Sequence, residues 1–176
     1  TLRIDLVERI IAFTERCFTG VEFVLCSNLL EVGEKELQVF SRGNVFVSTS
    51  LDGDFDAMVA NRTDSDQSAK QTIKNIEYLL NLFGPEKVSA LPTITERQVE
   101  NPMSVISPYL EFGFGGVFLR PVNYQGFARK SFAELSKATE RWLAFYSSAL
   151  EIIGNINKEV HFEEFYLAML LRSVFT

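Results

Sequence analysis

The chain has 176 residues, 47% of them hydrophobic, and a formal net charge of -6, enough apolar material for one sizeable core in a single domain or part of a larger protein. The acidic balance and the lack of any Lys/Arg cluster exclude a nucleic-acid or anionic-membrane surface as the main role. No apolar run approaches the roughly 18 to 20 residues that span a bilayer, and Thr1-Leu-Arg-Ile-Asp5 is not a secretory signal, so a cytoplasmic location is the default expectation.

Ile4 to Phe18 places Leu6, Ile10, Ile11, Phe13 and Cys17 at spacings near three and four, which predicts an amphipathic helix ended by Gly20. Val21 to Cys26 reads as a short strand closed by Ser27-Asn28. Glu34 to Phe40 reads as a short helix with Leu37 and Phe40 inward, and Val45 to Ser50 as the next strand. A polar loop from Asn61 to Ser68 leads to a helix over about 69–83, whose stripe is Ile73, Ile76, Leu79, Leu80 and Leu82 and whose end is Gly84-Pro85. Lys87 to Thr95 predicts a strand with Pro92 late in it, followed by a helix over about 101–112, a strand over 116–121, and longer helices over 131–153 and 159–175. Cys17 and Cys26 read as buried small hydrophobes rather than a disulfide or metal pair. His161 is the only histidine, which excludes a multi-histidine metal site within the chain and argues against Ser/His or Cys/His catalysis.

Helices alternating with near-continuous apolar strands predict parallel strands and right-handed crossovers, in an α/β barrel or an open sheet. About four such strands do not close a parallel barrel. The strand ends are polar: Ser27-Asn28, Ser48 to Gly53, Thr93 with Thr95, and Arg120 with Asn123. In a parallel sheet these ends share one rim, where ligands bind, so the polar residues are expected to converge.

Ser27-Asn28, Val47-Ser-Thr-Ser-Leu-Asp-Gly53 with Asn61-Arg62 after it, Ser89-Ala-Leu-Pro-Thr-Ile-Thr95, and Phe118-Leu-Arg-Pro-Val-Asn123 with Gly126-Phe-Ala128 resemble, in type and order, the radical S-adenosylmethionine (radical SAM) enzymes. The branch is the peptide-modifying maturases of SPASM or twitch type. Phe118 to Lys130 and Glu140 to Tyr146 look most like the His-Xaa-Ser system maturases. The resemblance implies a partial TIM-like parallel barrel with helices outside, similar to strands three to six of a six-stranded barrel, over residues 1–157. Residues 158–176 would form a helical segment leading toward a further C-terminal region.

Two family motifs are missing from the sequence: Cys-x-x-x-Cys-x-x-Cys, and Gly-Gly-Glu before a Pro. Thr1 to Val7 resembles the family segment immediately downstream of the second motif, so the chain reads as a fragment. In the family a 4Fe-4S iron-sulfur cluster holds S-adenosylmethionine, and reductive cleavage gives a 5'-deoxyadenosyl radical that abstracts substrate hydrogen. The resemblance puts Ser50 and Arg62 on the methionine carboxylate, which suits the planar donor fork of Arg. Asp52 and Gly53 would shape the turn, with Asp52 reaching a backbone amide or Arg62. Asn28 would face nucleoside or substrate, and Leu119 and Val122 would pass the adenine through their backbone. The family's usual Pro after Leu-Asp-Gly is Asp54 here, which unsettles the register of Arg62. Cluster and cofactor belong to the parent protein, and the chain alone is expected to bind neither and to be inactive. The implied partner is a peptide or small protein, and the strand at Val21 to Cys26, left without a neighbour, predicts edge pairing into a dimer. The competing reading is a non-catalytic α/β binding or scaffolding domain.

Overall fold

The computed structural model describes residues 3–63, 65–121 and 135–175. Among them run α1 (Ile4–Cys17), β1 (Phe23–Cys26), α2 (Glu34–Phe40), β2 (Val45–Ser50), α3 (Phe55–Met58), a π-helical turn (Val59–Thr63), α4 (Asp66–Phe83), β3 (Val88–Leu91), α5 (Pro102–Glu111), β4 (Gly116–Val117), α6 (Leu135–Ile156), β5 (Glu163–Glu164) and α7 (Phe165–Phe175). The result is a mixed α/β protein with small parallel sheets of three and two strands, and no closed barrel among the described residues. Its contacts divide it into two compact units, Thr1–Ser50 with Ser65–Ala90 and Leu51–Asp64 with Leu91–Thr176.

In the first unit the sheet order is β1-β2-β3. β1 pairs with β2 in parallel, from Phe23 opposite Val45 to Cys26 opposite Ser48. The core closes where Ile4 and Ile11 of α1 meet Val39 of α2 and Val45 of β2, with Val7, Phe23 and Leu25 packed around them. This corrects the predicted stripe. Helix α1 is apolar on two sides, and only Ile4, Val7 and Ile11 meet the core; Leu6, Ile10 and Phe13 are exposed.

Both cysteines are exposed as well, against the expectation of burial. Cys17 lies at the uncovered side of α1. Cys26 follows Val24, which is 63% exposed, on the outward positions of an edge strand whose inward positions are Phe23 and Leu25.

After β1 the chain makes two side-chain-capped turns. Ser27 Oγ accepts from the Leu29 N–H (3.1 Å) and Asn28 Oδ1 from the Leu30 N–H (3.3 Å), the local bonding that favours Ser and Asn at turns. Leu29 is fully buried at a φ of 53°. Asn75 of α4 holds that strained residue in place by donating to Leu29 O at 2.7 Å and Leu30 O at 3.3 Å.

Helix α4 begins three residues before its predicted start, because Ser65 Oγ caps the Ser68 N–H (3.4 Å). Of its predicted stripe, Ile76, Leu79 and Leu80 are buried, Ile73 is half-buried and Leu82 is exposed.

In the second unit β4 pairs with β5 in parallel, Gly116 opposite Glu163 and Val117 opposite Glu164. A Cβ on Gly116 would collide with the Glu163 carbonyl, so only glycine allows this approach. Helix α6 packs against α5, with Phe145, Ala149 and Ile153 buried. Two predicted strands are shorter than expected, since 87–95 contracts to β3 and 116–121 to β4, extended only by an isolated parallel bridge between Ile94 and Pro121. No helix among the described residues is long and apolar enough to cross a membrane.

Candidate functional site

The second unit begins where the block Val47-Ser-Thr-Ser-Leu-Asp-Gly53 leaves β2, and every residue of the turn 51–54 is fixed by a specific partner. Leu51 is fully buried, and its carbonyl accepts from the Tyr109 hydroxyl at 2.8 Å. Tyr109 is itself 1% exposed. Burial pushes its phenol well above the ordinary value, Asp52's charge adds to the effect, and Arg62 opposes it. It therefore stays a donor.

Gly53 and Asp54 dock on α5 through a gap made by proline. Pro108 has no N–H, so the carbonyl of Ser104, one turn earlier, lacks its helical donor. The Asp54 N–H supplies it at 2.8 Å. Gly53 has a φ of 144°, and a Cβ there would lie 2.7 Å from the same Ser104 oxygen, which makes glycine the only residue that allows this contact. Asp54 then caps the short α3, its Oδ1 accepting from the Ala57 N–H at 3.0 Å.

This helix runs straight into the π-helical turn 59–63, an arrangement often found at functional sites. The turn was expected to be a polar loop. It presents Arg62.

Asp52 is the centre of the arrangement. Its side chain is 1% exposed, and a buried carboxylate is tolerated only when charge-paired and hydrogen-bonded. Arg62 Nε donates to Oδ2 at 2.6 Å and Arg62 Nη2 to Oδ1 at 2.7 Å, a two-pronged charge-assisted pair. The Thr93 N–H donates to the same Oδ1 at 2.8 Å. Arg62 Nη2 also donates to Thr93 Oγ1 at 3.2 Å. Arg62 and Thr93 are thus locked side by side about one oxygen, and the arginine side chain keeps 34% exposure.

A second amide supports the first. Gln98, 3% exposed, donates through its carboxamide to the Asp52 carbonyl. Its Oε1 accepts from the Thr95 N–H (2.8 Å), the Thr95 hydroxyl (2.9 Å) and Asn61 Nδ2 (3.1 Å). The π-helical turn and the segment after β3 are thereby tied to one buried side chain.

The residues singled out in the sequence fall into three groups. Asp52, Arg62, Thr93 and Thr95 are brought together as described. Ser50 ends β2, half-buried, and Asn28 serves its turn; both belong to the first unit. Leu119 is buried, with its N–H bonded not to a ligand but to Glu164 Oε1 at 3.0 Å, while Val122 and Asn123 lie outside the described residues.

Glu164 is a site that sequence reading missed. It is 4% exposed and accepts from the Tyr146 hydroxyl (2.6 Å) and from the N–H groups of Leu119, Tyr166 (3.3 Å) and Leu167 (2.7 Å), capping α7. Burial, with the bond to Glu164 adding to it, pushes the Tyr146 phenol far above its ordinary value. Gln98 and Tyr109 were missed too; the one available signal was Pro108, which marks a broken helical bond beside Tyr109.

Among the described residues no group of three or more His, Cys, Asp or Glu side chains is placed to hold a metal ion. No protein-family model matches the chain, and no curated protein matches it.

Proposed function

We propose that the chain is the cofactor-cradle portion of a radical SAM enzyme that modifies a peptide or small protein, its parallel strands belonging to an incomplete TIM-like barrel. The observation that carries this reading is the Asp52–Arg62–Thr93 constellation. It is a guanidinium held rigidly, and partly exposed, between the chain segments that leave β2 and β3, the kind of segment from which parallel sheets bind ligands.

The donor chemistry suits the methionine carboxylate of S-adenosylmethionine. A guanidinium whose orientation is already fixed loses little freedom on binding a planar anion. The roles of Ser50, Asn28 and Leu119 rest on the resemblance alone.

The residues present do not fit a 4Fe-4S cluster, which needs three thiolates: the sequence has two cysteines. In this reading the cluster ligands lie elsewhere in a longer protein, and no step through the cluster is assigned to this chain.

A second reading, a non-catalytic α/β binding or scaffolding domain, is favoured by the way the Asp52 carboxylate closes on internal donors, as a purely structural pair would. Anaerobic reconstitution of the full-length gene product with iron and sulfide separates the two. The first reading expects a bound cluster, with its charge-transfer absorption bleached by dithionite. Failure to take up iron leaves the second.

A further inference from the structure

We propose that Trp142, Tyr146 and Glu164 form a one-electron redox site in the second unit, at which a diffusible oxidant of the peroxyl-radical class takes an electron through Trp142 from Tyr146 while the Tyr146 phenol proton passes to Glu164. The site uses none of the residues around Asp52 and is independent of the function proposed above.

Losing an electron turns a phenol into a very strong acid, so the step is eased when a base already holds the proton. Tyr146 meets that condition. Its hydroxyl donates to Glu164 Oε2 at 2.6 Å, the length of a charge-assisted O–H···O bond. Glu164 is 4% exposed, and its two oxygens also accept from the N–H groups of Leu119, Tyr166 and Leu167, so the carboxylate cannot swing away from the phenol. Among the described residues Tyr146 is the one tyrosine whose hydroxyl donates to a carboxylate; that of Tyr109 goes to the Leu51 carbonyl. Burial raises the Tyr146 phenol above its ordinary value, so it does not ionise first, and proton and electron leave together.

Trp142 is the way in. It is half-buried, so an oxidant at the surface reaches it. Its ring stacks on Tyr146 with centroids 5.9 Å apart and planes 28° apart, close enough for an electron to pass between them. Once the phenol proton has a base, the oxidised indole is the stronger oxidant of the two rings, and the unpaired electron settles on Tyr146. The step balances: the oxidant gains one electron, Tyr146 becomes a neutral tyrosyl radical, and Glu164 becomes a carboxylic acid facing it. A small-molecule reductant that returns the electron lets the proton go back.

The test is flash photolysis of the full 176-residue chain with tris(bipyridine)ruthenium and persulfate, followed by the absorption and EPR signals of tryptophanyl and tyrosyl radicals. The wild type is expected to give a transient Trp142 radical that decays into a tyrosyl, more slowly in D2O than in H2O. Tyr146→Phe, which leaves Glu164 its N–H donors, is expected to abolish that tyrosyl and lengthen the life of the Trp142 radical about 100-fold; Glu164→Gln, which removes the base, is expected to slow tyrosyl formation by about the same factor. The first variant and the D2O comparison test the step without disturbing the cap on α7.

A tyrosyl yield in Tyr146→Phe equal to that of the wild type, or a Trp142 radical that decays equally fast in both, overturns the site. Equal rates of tyrosyl formation in H2O and D2O overturn it too, because the proton would then not move with the electron.

Discussion

Removing either partner of the Asp52–Arg62 pair is not equivalent, because the two ends are buried to different degrees. Arg62→Met strands a carboxylate that is 1% exposed with one remaining donor, the Thr93 N–H. Breaking a buried pair in this way costs about 3–5 kcal/mol. The lower end, about 3 kcal/mol, applies here because the 34% exposure of the arginine means water can reach the gap.

Asp52→Asn keeps an acceptor for Thr93 and releases a guanidinium that can turn to solvent, at about 1.5 kcal/mol. The double variant should recover about 1–2 kcal/mol of the summed loss. Urea unfolding followed by the fluorescence of Trp142 is suited to this, since the sole tryptophan sits in the same unit, packed on Phe145 and Tyr146. An Asp52→Asn loss as large as that of Arg62→Met, or a coupling below about 0.5 kcal/mol, would refute the buried-anchor argument.

Other consequences are independent of this pair. Gly53→Ala should cost about 2–3 kcal/mol, since φ and the Ser104 oxygen both oppose a Cβ; Gly84→Ala, at a positive φ but in open space, should cost less, and equal losses in urea unfolding would remove the docking argument. Thr49 has a buried hydroxyl with no hydrogen-bond partner among the described residues, so Thr49→Val should leave stability unchanged or raise it by up to about 1 kcal/mol, whereas a loss above that would reveal a hidden partner. Tyr109 and Tyr146 both have raised phenol pKa values. The unfolded chain therefore releases these protons first, above about pH 10, and native-state stability is full below that pH and declines as pH rises beyond it. Thermal unfolding from pH 8 to 11 checks the sign, and a Tm that rises over this range would contradict it.

The periodic parts of the molecule were legible. The bounds read for Glu34–Phe40 and Val45–Ser50 are those observed, because each is a compact apolar run between clear breakers. Helix α1 was legible as a helix but not in its packing, since Leu6, Ile10 and Phe13 make as good a stripe as Ile4, Val7 and Ile11, and only tertiary contacts choose between them. Asp52 was expected to reach a backbone amide or Arg62, and it reaches both. Thr93 was expected on the same rim, but its amide as a partner of Asp52 and its hydroxyl as a partner of Arg62 could not be read, as they depend on how the segment after β3 returns to the turn. Gln98 sits in a polar stretch with no periodicity, and Glu164 in a stretch read as part of a helix over 159–175, whereas it lies in β5 just before α7; the burial of both follows from the carbonyls and amides they satisfy.

The central claim is that the Arg62 guanidinium, held by Asp52, serves a radical SAM cofactor. It is tested most directly by measuring 5'-deoxyadenosine formed by the reduced, iron-reconstituted full-length protein and by its Thr93→Val and Arg62→Met variants. Product is expected from the wild type, with a higher cofactor concentration for half-maximal rate in Thr93→Val and a still higher one in Arg62→Met. A cluster-loaded protein that forms no 5'-deoxyadenosine, or variants that match the wild type at limiting cofactor, would contradict the claim.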